Sequence, residues 1–104
     1  MEYVDILKGL ADANRLAILC YLRNGSKCAC EIENLLKISQ SATSKQLNRL
    51  RLLGLIYAEK KGQWVYYQIA GHIYDKYPFL VQLLEDVDSQ YGFSKLGNTV
   101  KCND

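Results

Sequence analysis

Several ingredients of an enzyme active site are scarce in this chain of 104 residues. It has a single histidine, His72, and it shows neither a phosphate-binding glycine loop nor clustered carboxylates. A nucleophile would find few partners, so the sequence argues against an enzyme. No apolar run approaches the roughly 20 residues that cross a bilayer. Residues 1–5 also lack the basic and apolar character of a signal peptide. We therefore expect a cytoplasmic protein with no membrane partner.

The four cysteines are expected to be thiols or metal ligands, because disulfides are rare in a reducing compartment. Cys28 and Cys30 form a Cys-x-Cys pair, while Cys20 lies in an apolar segment and Cys102 near the end. Residues two apart in a helix point about 200° away from each other, so we expect the pair to bind one ion only if the first turn of its helix unwinds or bends. A position near a helix start is also expected to lower the thiol pKa.

Positive charge is concentrated in the middle of the chain, although the net charge is only +2. Residues 37–62 contain six basic residues and one acidic residue, whereas both flanks are slightly acidic. A polyanion would therefore bind the middle third. A lysine-rich turn is also found on many ordinary solvated surfaces, so charge alone does not identify the partner.

The apolar spacing predicts five or six short helices and one β-hairpin, in a mainly α (α+β) domain. No repeat or Pro/Gly-rich linker interrupts the chain, so we predict one domain over residues 1–91 and a flexible C-terminal tail over residues 92–104. The predicted helices cover residues 3–10, a segment from an N-cap at Asp12 or Asn14 to about Arg23, residues 28–36 with Ser26 as N-cap, residues 39–53 before Gly54, and a last helix from Pro78 to Tyr91. The second of these is apolar nearly all round, which indicates a buried central helix.

The helix over residues 41–53 has a polar face suited to DNA. Hydroxyls allow close approach to phosphates, an Asn can pair with adenine, and Lys or Arg can reach guanine or phosphate oxygens. Two strands follow, residues 55–59 and 64–69, joined by a basic tip over residues 60–63. The predicted DNA-contacting residues are Gln40, Ser41, Thr43, Ser44, Lys45, Asn48 and Arg51 of the helix, with Lys60, Lys61 and Gln63 of the tip.

The order of these elements decides between DNA reading and a merely solvated helix face. A helix, a short turn, a polar-faced helix, a glycine stop and a lysine-tipped hairpin together predict a winged helix-turn-helix. The polar-faced helix would enter the major groove of double-stranded operator DNA, and the hairpin would reach the flanking backbone or the minor groove.

Four segments in order also resemble the ArsR/SmtB family of metal-responsive repressors. They are Leu10-Ala11-Asp12-Ala13-Asn14-Arg15-Leu16-Ala17-Ile18-Leu19, Cys28-Ala29-Cys30-Glu31-Ile32, Ser39-Gln40-Ser41-Ala42-Thr43-Ser44-Lys45-Gln46-Leu47, and Gly62-Gln63-Trp64-Val65-Tyr66-Tyr67. The resemblance implies a homodimer built from the first and last helices. It also implies repression without ion and release from the operator when an ion binds. Gln46 stands where a His is frequent, and Gln63 where a wing Arg is usual.

Within that family, Cys28 and Cys30 match the Cys-x-Cys of arsenic- and cadmium-type members. The resemblance therefore implies As(III) or Sb(III) as inducer, with Cd(II), Pb(II) or Zn(II) as further candidates. Glu33 occupies the position of a third family cysteine. We favour Cys102 as the third metal ligand, with Cys20 or no third ligand as the alternatives. A zinc-type site on the last helix is not expected, because His72 lies before that helix.

Two other functions fit the same sequence. The thiol pair could sense oxidants or persulfides in a DNA-binding regulator of the same fold. Alternatively, the winged helix could be a protein-interaction module, which would retain no DNA even at low salt.

Overall fold

In a computed structural model, which describes residues 1–93, six helices pack around a small antiparallel sheet. The helices are α1 Glu2–Leu10, α2 Ala13–Leu22, α3 Ala29–Leu36, α4 Gln40–Leu52, α5 Ile73–Lys76 and α6 Phe79–Tyr91. The strands are β1 Lys27–Cys28, β2 Ile56–Lys61 and β3 Trp64–Ile69, in the order β1-β3-β2. This arrangement confirms the predicted winged helix-turn-helix. From residue 94 onward the predicted tail, with Cys102, lies outside the described residues.

The central helix is α2, as its apolar sequence predicts. Its N-cap is Asp12, whose carboxylate accepts a hydrogen bond from the Arg15 amide at 3.1 Å. Six consecutive residues, 17–22, are buried in the core. Such burial of every face requires neighbours on all sides, and α2 contacts α1, α3, α4, α6 and β3.

Helix α3 begins later than predicted. Its N-cap is Cys28 and not Ser26, and the Cys28 amide donates to Glu31 Oε1 at 3.0 Å. Residues 27 and 28 instead form the short strand β1, which pairs with β3 so that Cys28 lies opposite Tyr66. The sequence signal for a two-residue strand is weak, because its pairing partner lies almost 40 residues away in the chain.

Helix α4 and the hairpin follow the sequence prediction closely. Ser39 is the N-cap of α4, with its Oγ accepting from the Ala42 amide at 3.1 Å. Gly54, with a φ of 76°, directs the chain out of the helix, a conformation that a side chain would disfavour. Strand β2 extends through Lys60 and Lys61, so the turn itself is only Gly62 and Gln63.

The two end helices expose apolar side chains. On α1, Tyr3, Val4 and Leu7 are exposed, and on α6 so are Phe79, Val81 and Tyr91. The opposite sides of these helices reach the core through residues such as Ile6, Leu80 and Leu84. None of the helices within residues 1–93 has the length and apolar character needed to span a membrane.

Candidate DNA interface and thiol pair

The outer face of α4 presents the side chains that the sequence predicts for DNA contact. All but one of the predicted residues are exposed: Gln40, Ser41, Ser44, Lys45, Asn48 and Arg51. The Arg51 guanidinium donates to Asn48 Oδ1 at 2.9 Å. This contact holds both side chains on one surface, although Asn48 would have to release or share that oxygen to pair with an adenine edge. Exposed Leu52 lies beyond them at the helix end.

Thr43 is buried, so its prediction as a DNA contact is wrong. It is only 1% exposed, and its hydroxyl donates to the Ser39 carbonyl at 2.9 Å. A side chain packed into the first turn of α4 cannot reach a duplex. Thr43 lies four and seven residues before buried Leu47 and Leu50, so helical spacing places it on the core side of α4.

The hairpin of β2 and β3 forms the wing, and its two lysines lie at the end of β2. Lys60 lies opposite Val65 and Lys61 opposite Trp64. Because successive strand residues point to opposite faces, these lysines lie on different sides of the hairpin. Lys61 Nζ lies 5.7 Å from the centre of the Tyr66 ring on the facing strand. The exposed Gln63 stands in the turn between them and β3.

A groove separates the wing from α4, and the thiol pair lies in it. Its volume is about 220 Å³. It is lined by Cys28, Ala29, Cys30, Glu33, Gln40, Thr43, Ser44, Trp64 and Val65. Trp64 is the only tryptophan of the chain. The sequence did not suggest its place beside the cysteines, which depends on the pairing of β1 with β3.

The two sulfur atoms lie together without any unwinding of the helix. Cys28 Sγ and Cys30 Sγ are 2.9 Å apart. Cys28 has φ −76° and ψ 159°, an extended conformation, so it is not part of the helical turn that contains Cys30. The expected 200° divergence applies only when both residues are helical. The prediction that the first turn of this helix must unwind or bend to bring the sulfurs together is therefore wrong.

Burial outweighs the helix N-terminus at Cys28. The thiol is 7% exposed, and this burial raises its pKa above the ordinary cysteine value. The prediction that the helix start lowers the pKa of Cys28 is therefore wrong. At neutral pH the Cys28 side chain is a thiol, and it becomes a thiolate only when an ion or a base takes its proton.

The described residues bring no third ligand to the pair. Within residues 1–93, no cluster of three or more His, Cys, Asp or Glu side chains could hold a metal ion. Cys20 lies fully buried in α2 with its Sγ 3.7 Å from the Leu84 carbonyl, and burial raises its pKa to about 11. It packs as a core residue, which leaves Cys102, outside the described residues, as the predicted third ligand. His72 is exposed at the start of α5.

Comparison with known proteins gives one consistent family. Residues 12–58 match the model of the bacterial regulatory protein, arsR family. The chain is 32% identical over 88 residues to the arsenic resistance transcriptional regulator ArsR2 of Pseudomonas putida, covering 84% of this chain and 76% of that protein. It is 40% identical over 65 residues to ArsR1 of the same organism, covering 62% of this chain and 51% of ArsR1, so it spans about half the length of that relative.

A solved structure gives the same result for the fold. The homodimeric winged helix-turn-helix DNA-binding domain of Mb0332 from Mycobacterium bovis, described as a possible ArsR-family transcriptional regulator, superimposes with a TM-score of 0.69. The two are 30% identical, over 82% of this chain and 79% of that domain.

Proposed function

Because the chain belongs to the ArsR family of bacterial transcriptional regulators, we propose that it is a homodimeric repressor that leaves its operator when a thiophilic ion binds Cys28 and Cys30. The observation that carries this proposal is the close pair of sulfurs in a groove between α4, the predicted reading helix, and the wing formed by β2 and β3. The most suitable inducers are As(III) and Sb(III), with Cd(II), Pb(II) and Zn(II) as further candidates.

DNA binding by a pair of subunits fits the distribution of exposed side chains. The outer face of α4 combines hydroxyl, amide and cationic groups, which suit phosphate and base contacts. The exposed apolar residues of α1 and α6 lie on other helices and suit burial against a second copy. The homodimeric structure of the similar M. bovis domain supports this assembly. A two-fold pair would present two reading helices to successive turns of one duplex.

The sulfur pair needs only a small adjustment to hold an ion. Two thiolates on a tetrahedral ion with metal–sulfur bonds of about 2.3 Å are roughly 3.7 Å apart. The observed separation is 2.9 Å, so the sulfurs would move apart by less than about 1 Å. Cys28 belongs to β1, and this movement is therefore felt by its partner strand β3.

Coupling to DNA follows from what shares the groove. Gln40 and Ser44, two predicted DNA contacts, line it from the α4 side, and Trp64 and Val65 line it from the wing. Ion binding at the thiols would favour one arrangement of wing and reading helix over another. If DNA prefers the other arrangement, each ligand lowers the affinity for the other by the same factor, typically about 5- to 150-fold.

The test is fluorescence anisotropy of a labelled operator selected by the wild-type protein from random-sequence DNA. We expect arsenite to weaken operator binding by wild type and by Cys20→Ala, a control that removes a thiol from the core. Cys28→Ser should bind the operator and lose the arsenite response, and Cys102→Ser reports whether the third sulfur takes part. An undiminished arsenite response in Cys28→Ser would contradict the proposed sensor. Failure to select any operator would favour a protein-interaction module.

The same sulfur separation favours a second candidate, a redox-responsive regulator. The Cys28 and Cys30 sulfurs lie 2.9 Å apart, so once both are reduced to thiols, hydrogen peroxide can oxidise the pair to a disulfide and two water molecules with little movement. Parallel titrations of the operator complex with arsenite and with peroxide separate the two functions. Release by peroxide, reversed by dithiothreitol, with no effect of arsenite, would favour the redox regulator.

A further inference from the structure

One arginine of α2 connects the end of α1 to the middle of the reading helix α4. The Arg15 side chain is only 16% exposed. Its Nε donates to the Gly9 carbonyl, its Nη2 to the Lys8 carbonyl at 3.3 Å, and its Nη1 to Gln46 Oε1 at 2.8 Å. The planar guanidinium offers donors in a fixed fork, so these three acceptors hold it in one orientation.

At α1, Arg15 donates to carbonyls of the last turn, where the Lys8 carbonyl also accepts from the Ala11 amide at 3.3 Å. The last carbonyls of a helix lack the amide partners of its interior and carry the negative end of its dipole. The positive guanidinium is therefore held where both hydrogen bonding and charge favour it. Asp12 Oδ2 lies 3.9 Å from Nη1, which keeps the same cation oriented from its own helix.

At α4, the acceptor lies beside the reading face and not on it. Gln46 is half-buried, between exposed Lys45 and buried Leu47. Its side-chain oxygen is directed at Arg15, inside the protein. Gln46 therefore helps to fix the orientation of α4 relative to α1. It does so from within the protein, although its neighbour Lys45 is a predicted DNA contact.

A second close approach joins the same two helices. Gly9 of α1 is buried, and a Cβ at this position would overlap Cδ1 of Leu53, the C-cap of α4. The bond to Gln46 lies near the middle of α4 and the contact with Leu53 lies at its end. Two points of contact on α4 restrict its rotation as well as its distance from α1.

We propose that Arg15 and Gln46 are positioning residues for operator recognition, which fix α4 against α1 and so set the spacing of the two reading helices in a dimer. The proposal rests on the proposed dimeric DNA binding. In a two-fold pair whose contact includes the exposed side of α1, the separation and tilt of the two copies of α4 depend on the α1–α4 junction in each subunit. A loosened junction would tolerate half-sites at other spacings.

Gln46→Leu tests this junction, because it removes the acceptor at similar volume and leaves the Arg15 bonds to α1. The matched variant Gln46→Glu keeps an acceptor for the guanidinium. Anisotropy is measured on three DNAs: the selected operator, the operator with one base pair inserted between its half-sites, and a single half-site. Asn48→Ala serves as the control for a residue that contacts DNA directly.

For wild type and Gln46→Glu we expect the insertion to weaken binding by at least about tenfold. For Gln46→Leu the insertion penalty should fall to about threefold or less, with half-site affinity within about twofold of wild type. Asn48→Ala should lose affinity on all three DNAs. An unchanged insertion penalty in Gln46→Leu would overturn the proposal, as would an equal loss on the half-site. If no operator is selected at all, the proposed function itself fails.

Discussion

Removing the wing lysines one at a time should reveal which side of the hairpin faces DNA. Lys60 and Lys61 are neighbours in β2 and point to opposite sides of it, so only one of them can face the duplex. Each phosphate contact contributes about −0.9 to the slope of log affinity against log salt. A dimer has two wings, so the alanine variant of the contacting lysine should reduce the slope by about 2.

The measurement is operator anisotropy between about 50 and 200 mM salt. Between these two salt concentrations, wild type should lose roughly ten times more operator affinity than the variant that lacks the contacting lysine. Lys76→Ala is the matched control, because it removes the same charge from an exposed lysine that pairs with Glu2 at 3.0 Å. Its slope should equal that of wild type.

The reasoning predicts unequal effects from two adjacent lysines. Equal slope changes in Lys60→Ala and Lys61→Ala would refute it, because both side chains would then reach phosphates from opposite faces. Wild-type slopes in both variants would show that the wing does not contact the backbone.

Three further outcomes follow from single contacts. Burial raises the pKa of Cys28, so its thiol stays protonated up to a higher pH and Cd(II) must displace that proton. Calorimetry should therefore show the Cd(II) affinity rising from pH ~6 to beyond pH ~8.5, by up to about tenfold per pH unit for each proton released. Arsenous acid supplies hydroxide that leaves with the thiol protons as water, so its affinity should stay flat between about pH 6 and 8. Asp12→Ala removes the α2 N-cap and should cost about 1 kcal/mol, lowering the Tm by about 4–8 °C in circular dichroism, whereas Asn14→Ala should change it little. Thr43→Val should keep operator affinity within about twofold of wild type, because the Thr43 hydroxyl donates to the Ser39 carbonyl. Asn48→Ala should weaken operator affinity by about 5- to 150-fold. A loss of more than about twofold in Thr43→Val would contradict the burial of Thr43.

Much of the secondary structure was predictable because its signals are local. Ser39 and Gly54 mark the two ends of α4, and the alternation of strand residues after them predicts the hairpin. The apolar run from 17 to 22 predicts a buried helix without knowledge of its neighbours. In each case the residues that decide the structure lie within a turn or two of one another, so the pattern can be read along the chain.

The candidate site depended on contacts between distant segments. Cys28 leaves the helical conformation because β1 pairs with β3, and this places its sulfur beside that of Cys30. Burial by the same packing raises the thiol pKa where the helix start alone would lower it. The bond from Arg15 to Gln46 spans 31 residues. Local spacing carries no information on such pairings, because they are selected by how the packed helices and sheet meet.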